Sequence, residues 1–152
     1  LQPITFAQNL KHMDFKDIAA VSGKGGLFKV VKPTKTGVIL ESIDAAKNKL
    51  VTGMNHKVSV LAEISVYSTG EEETIPIRDL FIKIKEEFGD DPGVDKNDDA
   101  EELKSFLAHV MPDYDRERVY VSDIKKMVTW YGIIMKNAPE LLEESDEEPS
   151  EE

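Results

Sequence analysis

The spacing of apolar residues divides the chain into a strand-like half and a helix-like half. Between residues 26 and 67 (GLFKVVKPTKTGVILESIDAAKNKLVTGMNHKVSVLAEISVY) β-branched residues are concentrated, and turn residues interrupt them at short, even intervals. Short β-branched runs bounded by Gly, Pro, Asn and Asp are the signature of strands. They predict strands at 27–32, 38–43, 49–52, 58–61 and 64–67, with 74–77 returning after the polar tip STGEEE. Ala62-Glu63 marks a bulge or kink between two of them. Ahead of the sheet, DFKDIAAV (14–21) has Asp14 as a cap, Phe15, Ile18 and Ala19 on one face, and Ser22-Gly23 as a stop, and predicts a short helix.

Beyond residue 76 the apolar period becomes that of a helix. Ile77, Leu80, Phe81, Ile84 and Phe88 share one face, with Pro76 at the start and Gly89 at the C-terminal cap. The run DDPGVDKNDD is a linker by composition. Asp98 or Asp99 then caps a helix that carries Leu103, Phe106, Leu107, Val110 and Met111 on one side and stops at Pro112. Residues 119–121 read as briefly extended, and Ser122 as the cap of a last helix with Ile124, Met127, Val128, Tyr131, Ile134 and Met135 on its apolar stripe. The predicted class is α+β: a small SH3-like antiparallel β-barrel, closed because closure disposes of sheet edges, followed by a small helical domain. The expected organisation is a leader or expression remnant at 1–12, with Met13 as the natural start, then the barrel domain with flanking helices at 13–89, a linker at 90–97, the helical domain at 98–139, and an acidic disordered tail at 140–152.

Composition narrows the classes. With 40% hydrophobic and 32% charged residues among 152, the chain suits a globular protein. No apolar run approaches the roughly 18–20 residues of a membrane span, so a membrane partner is not expected. The absence of cysteine excludes disulfides, thiol nucleophiles and zinc–thiolate sites, and fits the reducing cytoplasm, the expected location. The net charge of −11 is unevenly spread: residues 14–69 carry +3, residues 70–139 carry −7, and residues 140–152 hold eight acids and no base. A mildly basic β region thus sits in an acidic protein.

No motif supplies chemistry. Ser22-Gly23-Lys24-Gly25-Gly26 resembles a phosphate loop only in part, since a short helix is expected before it and a strand after it, and the Lys-Ser/Thr pair that would meet phosphate and Mg²⁺ is missing. The acids from Asp91 to Glu102 fit a calcium loop badly: Gly93 falls where a ligand is needed and Lys96 where the turn needs glycine. His12, His56 and His109 have no paired spacing, so no metal site and no cofactor are expected. The densest chemistry is Asp113-Tyr114-Asp115-Arg116-Glu117-Arg118, which offers either an acid–base or phosphate site, or a helix–helix corner held by ion pairs with Tyr114 packed; the corner is the expectation. Trp130 lies off the apolar stripe and is an anchor candidate for a partner. Lys29, Lys32, Lys35 and Lys57 are expected to share a rim or face of the barrel, although arginine and interleaved aromatics, usual in nucleic-acid binders, are absent there.

The stretches GLFKVVKPTKTGVILESID, HKVSVLAEISVY and PDYDRERVYVSDIKKMVTWY resemble a family of small uncharacterised proteins from Bacteroidetes. The likeness runs from about Asp14 to Leu142 and leaves out the first twelve residues. It implies an SH3-like β domain followed by a small helical domain, and brings no catalytic residues. The expected function is therefore a non-enzymatic binding or adaptor module acting through protein contacts, with Trp130, Tyr114, Arg116 and Arg118 as candidate contact residues. The alternative is a nucleic-acid or ribosome-associated accessory factor that uses Lys29, Lys32, Lys35 and Lys57.

Overall fold

The computed structural model describes residues 13–53 and 55–143. The expected leader at 1–12 and most of the expected acidic tail lie outside the described residues. A 3-10 helix (Phe15–Asp17) leads into seven strands: β1 (Ile18–Val21), β2 (Phe28–Pro33), β3 (Val38–Ser42), β4 (Lys49–Val51), β5 (Val58–Val60), β6 (Ser65–Tyr67) and β7 (Thr74–Pro76). Three helices follow: α1 (Ile77–Phe88), α2 (Ala100–Val110) and α3 (Val121–Asn137). The fold is α+β with antiparallel sheets.

The helix expected over DFKDIAAV is replaced by the 3-10 turn and β1. The reason is burial on both faces. Ile18 belongs to the core shared with the helices, Val21 to the sheet's own small cluster, and Ala19 between them is buried as well. A central strand with two buried faces has neither the alternation of a half-exposed strand nor a clear helical period. β1 pairs with β2 on one side and β5 on the other, so the five-stranded sheet runs β4-β3-β2-β1-β5.

The sheet does not close into a barrel. β4 and β5 stand at its two edges with no hydrogen-bonded pairing between them. It curls nevertheless. The β2–β3 register shifts between Val30 and Lys32, which inserts Val31 as a bulge and bends the strand. Val21, Phe28 and Leu40 make the inner cluster, and Leu50 of β4 and Val58 of β5 both pack on it. Leu61–Glu63 forms a 3-10 helix at the expected kink, after which β6 and β7 make a separate two-stranded hairpin.

The helices follow their apolar stripes. Ile77, Leu80, Phe81 and Ile84 of α1 are buried, as are Leu103, Phe106, Leu107 and Val110 of α2 and Ile124, Met127, Val128, Tyr131 and Ile134 of α3. Asp99 caps α2 by accepting from the Glu102 amide at 2.9 Å. α3 starts two residues earlier than expected, at Val121 with Tyr120 rather than Ser122 at the cap, because Asp123 reaches back and accepts from the Tyr120 amide at 2.9 Å. Residues 119–121 are accordingly not a strand. One continuous core holds Phe15, Ile18, Leu27, Ile43 and Leu61 from the β half together with the stripes of all three helices. It extends to Leu141 and Leu142, which are buried, and Arg78 fastens that end by donating to the carbonyls of Leu141 (3.2 Å) and Glu143 (3.0 Å).

Candidate functional site

Packing the sheet on α3 leaves a cleft of about 650 Å³ between them. One lip is the glycine turn from Ser22 to Gly26, which joins β1 to β2 and is tied to the start of β5 by the Ser22 amide donating to the Lys57 carbonyl at 2.9 Å. Gly23 and Gly26 hold φ of 82° and 87°, a region that side-chain-bearing residues rarely adopt, so the turn needs glycine at both. The opposite wall is α3. Asp123, Lys126, Met127 and Trp130 recur at three- and four-residue steps, so they share one helical face, and that face looks into the cleft.

Charge sets this cleft apart. Lys24, Lys57, Lys96, Arg118, Lys125 and Lys126 line it against one acid, Asp123. That carboxylate is already engaged as the α3 cap. Arg118 is partly neutralised, since its Nε donates to Asp115 Oδ2 at 3.0 Å. Among the described residues, none of the five lysines has a carboxylate partner within ion-pair distance. A neighbouring concavity of about 700 Å³, between the 44–46 turn and the linker, has Asp44 and Asp95 against Lys96 and Lys136. It is balanced; the first cleft is not, in a protein of net charge −11.

Aromatic surface completes the cleft. Trp130 is half-buried: it packs on the core and lines the cleft. Tyr67, also in the lining, is 41% exposed, and the Arg118 guanidinium lies 4.1 Å from its ring centroid.

The Asp113–Arg118 stretch is a joint. Ser68 and Tyr114 form an isolated antiparallel bridge, the Thr69 amide donates to the Asp113 carbonyl at 2.8 Å, and the Asp115 amide donates to the Tyr67 carbonyl at 3.0 Å. Arg116 Nη1 donates to the carbonyls of Pro112 and Tyr114, both at 2.8 Å, and its guanidinium covers the Tyr114 ring. Tyr114 itself is buried. The Glu117 amide first, and Arg118 next, hold the Asp115 carboxyl below the usual carboxylate range, while Asp115 raises Arg118. Both groups are driven away from neutrality.

The sequence-derived candidates separate accordingly. Lys57, Arg118 and Trp130 line the cleft; Lys29, Lys32, Lys35, Tyr114 and Arg116 do not. Lys29 lies opposite Glu41 in the β2–β3 ladder, Lys32 opposite Ile39 just past the bulge, and Lys35 in the turn closed by Thr34 and Gly37. Lys96, Lys125 and Lys126 were hidden in the sequence as linker and as the solvated side of a helix. The available signal was the pair Lys125-Lys126 one turn from Trp130. In the linker, Asp91 and Asp95 accept from the Gly93 and Asn97 amides, so these carboxylates shape turns. Among the described residues no three His, Asp or Glu side chains stand together as a metal site. No described helix is long and apolar enough to cross a membrane.

Two family models match. Residues 15–61 match a domain of unknown function, DUF5606, and residues 64–134 match another, DUF6852. They meet at the 3-10 kink between β5 and β6. Among solved structures, a protein from Bacteroides vulgatus determined by solution NMR is similar, with 34% identity and a TM-score of 0.66, over 82% of this chain and 88% of that one. No curated protein matches the chain.

Proposed function

We propose, for a chain that belongs to the family of that Bacteroides vulgatus protein and joins two domains of unknown function, that it is a non-enzymatic binding module whose binding surface is the basic cleft between sheet and α3. One observation carries the reading: five lysines with no carboxylate partner among the described residues, and an arginine, face one committed acid inside a concave surface of an otherwise acidic protein. Unpaired like charges repel one another and raise the local potential, an arrangement that favours an anionic partner. The alternative of catalysis at Asp113–Arg118 has the opposite chemistry, because general acids and bases are tuned toward neutrality and this pair is tuned away from it. We also read the five-stranded sheet as an opened SH3-like barrel. The order β4-β3-β2-β1-β5, the bulge in β2, and the packing of β4 and β5 on one inner cluster support that reading.

The test uses the full chain and its single tryptophan, which lines the cleft and reports occupancy directly. Inorganic polyphosphate is expected to change Trp130 emission at low salt, and raised ionic strength to reverse the change. Lys125→Glu with Lys126→Glu should weaken binding at least about tenfold, as expected when two phosphate contacts become repulsive. Lys32→Glu with Lys35→Glu, outside the cleft, should leave it close to wild type. Absence of binding, or equal losses in both variants, would overturn the assignment.

A further inference from the structure

Resting on the anion-binding reading, the geometry points to a more specific occupant: we infer that the cleft takes single-stranded nucleic acid, with phosphates on its lysines and an unstacked base against Trp130.

Three features argue for bases as well as charge. First, the cations lie on both walls, Lys24 and Lys57 from the sheet side and Lys125 and Lys126 from α3, and Trp130 lies in the same lining. A strand with alternating phosphates and bases meets such a surface with both of its parts; a base–aromatic stack contributes in a way that depends little on which base it is. Second, Tyr67 presents a second aromatic surface in the same lining, with the Arg118 guanidinium already stacked on it. Arginine planes and tyrosine rings both accept stacked bases. Third, the amides of Gly25 and Gly26 donate to no protein acceptor among the described residues, so the glycine lip has N–H groups to offer a phosphate beside Lys24. A Cβ at Gly25 would meet nothing within 4 Å, which leaves the lip open to close approach.

The geometry disfavours two rivals. A duplex keeps its bases stacked and its phosphates on a wide cylinder, so it would meet the lips and leave Trp130 unused. An acidic peptide would satisfy the lysines and leave the aromatic surface without a partner. Both enter the test as competitors.

The experiment measures binding of the full chain to four probes at one ionic strength: a short oligothymidylate of about a dozen nucleotides, the matching duplex, inorganic polyphosphate of equal charge, and poly-glutamate of equal charge. Labelled probes are followed by anisotropy, so that tryptophan variants can be compared. The single strand should bind most tightly, with a slope of log affinity against log salt of roughly −2 to −4, the value for three to six phosphate contacts on a single strand. Trp130→Leu, which keeps apolar bulk against the core, should cost the single strand about tenfold and leave polyphosphate unchanged. Tyr67→Ala, on an exposed ring, should act in the same direction and guards against a folding defect at Trp130; thermal unfolding of both variants checks that they are folded. Equal affinity for single strand and polyphosphate, with no effect of either aromatic variant, would overturn this inference and leave the anion-binding reading standing. Preference for duplex or poly-glutamate would also overturn it. Failure of all four probes would overturn both readings.

Discussion

Gly37 shows how little room the β half has to spare. It sits in the turn between β2 and β3, where the Thr34 amide donates to the Gly37 carbonyl at 2.8 Å. A Cβ built there would lie 1.9 Å from the carbonyl oxygen of Thr52, a backbone atom that cannot rotate away. Thr52 is itself buried and is locked to Val38 by its amide and its hydroxyl. Gly37→Ala must therefore separate β3 from the segment after β4, and should cost about 1–3 kcal/mol, the usual range for overpacking. Gly25→Ala, by contrast, meets open space at an unexceptional φ and should stay within about 0.5 kcal/mol of wild type. Denaturant melts of the two variants check the contrast. The contrast is invisible in the sequence: both glycines stand in similar polar turns, and only the three-dimensional approach of residue 52 distinguishes them.

At the scale of elements, Tyr131 joins two helices at one atom. Its hydroxyl donates to the carbonyl of Gly89, the C-terminal cap of α1, and its ring meets Phe81 edge-on with centroids 5.7 Å apart. Burial, helped by the charge of Asp90, pushes the phenol up to about 12. The folded state thus resists ionising a group that the unfolded chain ionises near pH 10. The linked stability is fully present below about pH 10 and is lost as pH rises from there through about 12. Tyr131→Phe should cost about 1–2 kcal/mol at neutral pH, because the Gly89 carbonyl loses its donor, and should flatten the alkaline decline. Urea melts of both proteins at pH 8 and pH 11 measure the two effects. The helices that Tyr131 joins were legible in the sequence, since each buries a single stripe against one shared core and so keeps its 3.6-residue period. β1 was not, because Ile18, Ala19 and Val21 are buried on opposite faces and erase the alternation that identifies a strand. The open sheet edge was not legible either: whether β4 meets β5 depends on curl accumulated across five strands. The cleft was legible only in fragments. Lys57, Arg118 and Trp130 could be singled out one at a time, but Lys24 and Lys125 are a hundred residues apart and become neighbours through the packing of α3 on the sheet.

For the whole molecule, the basic cleft has to attract its partner against the field of its own chain. The net charge is −11, and residues 144–152 hold six acids and no base. Removing those nine residues leaves a net charge of −5 without touching the described core, which ends at Leu142. Exposed charges act over a Debye length of about 10 Å at 0.1 M salt and about 30 Å at 0.01 M. The truncated chain should therefore bind a polyanion such as polyphosphate more tightly than the full chain at low salt, by a few-fold or more, with the two converging as salt is raised. Most of the gain should appear in the association rate, where long-range charge acts, while dissociation, set by contacts inside the cleft, changes little. Stopped-flow titration using Trp130 emission separates the two rates. A faster association that disappears in high salt would locate the effect in the overall field. A slower dissociation that persists in high salt would mean that the terminal acids compete for the cleft lysines directly. Identical rates in the two chains at low salt would show that the cleft's local potential alone governs capture.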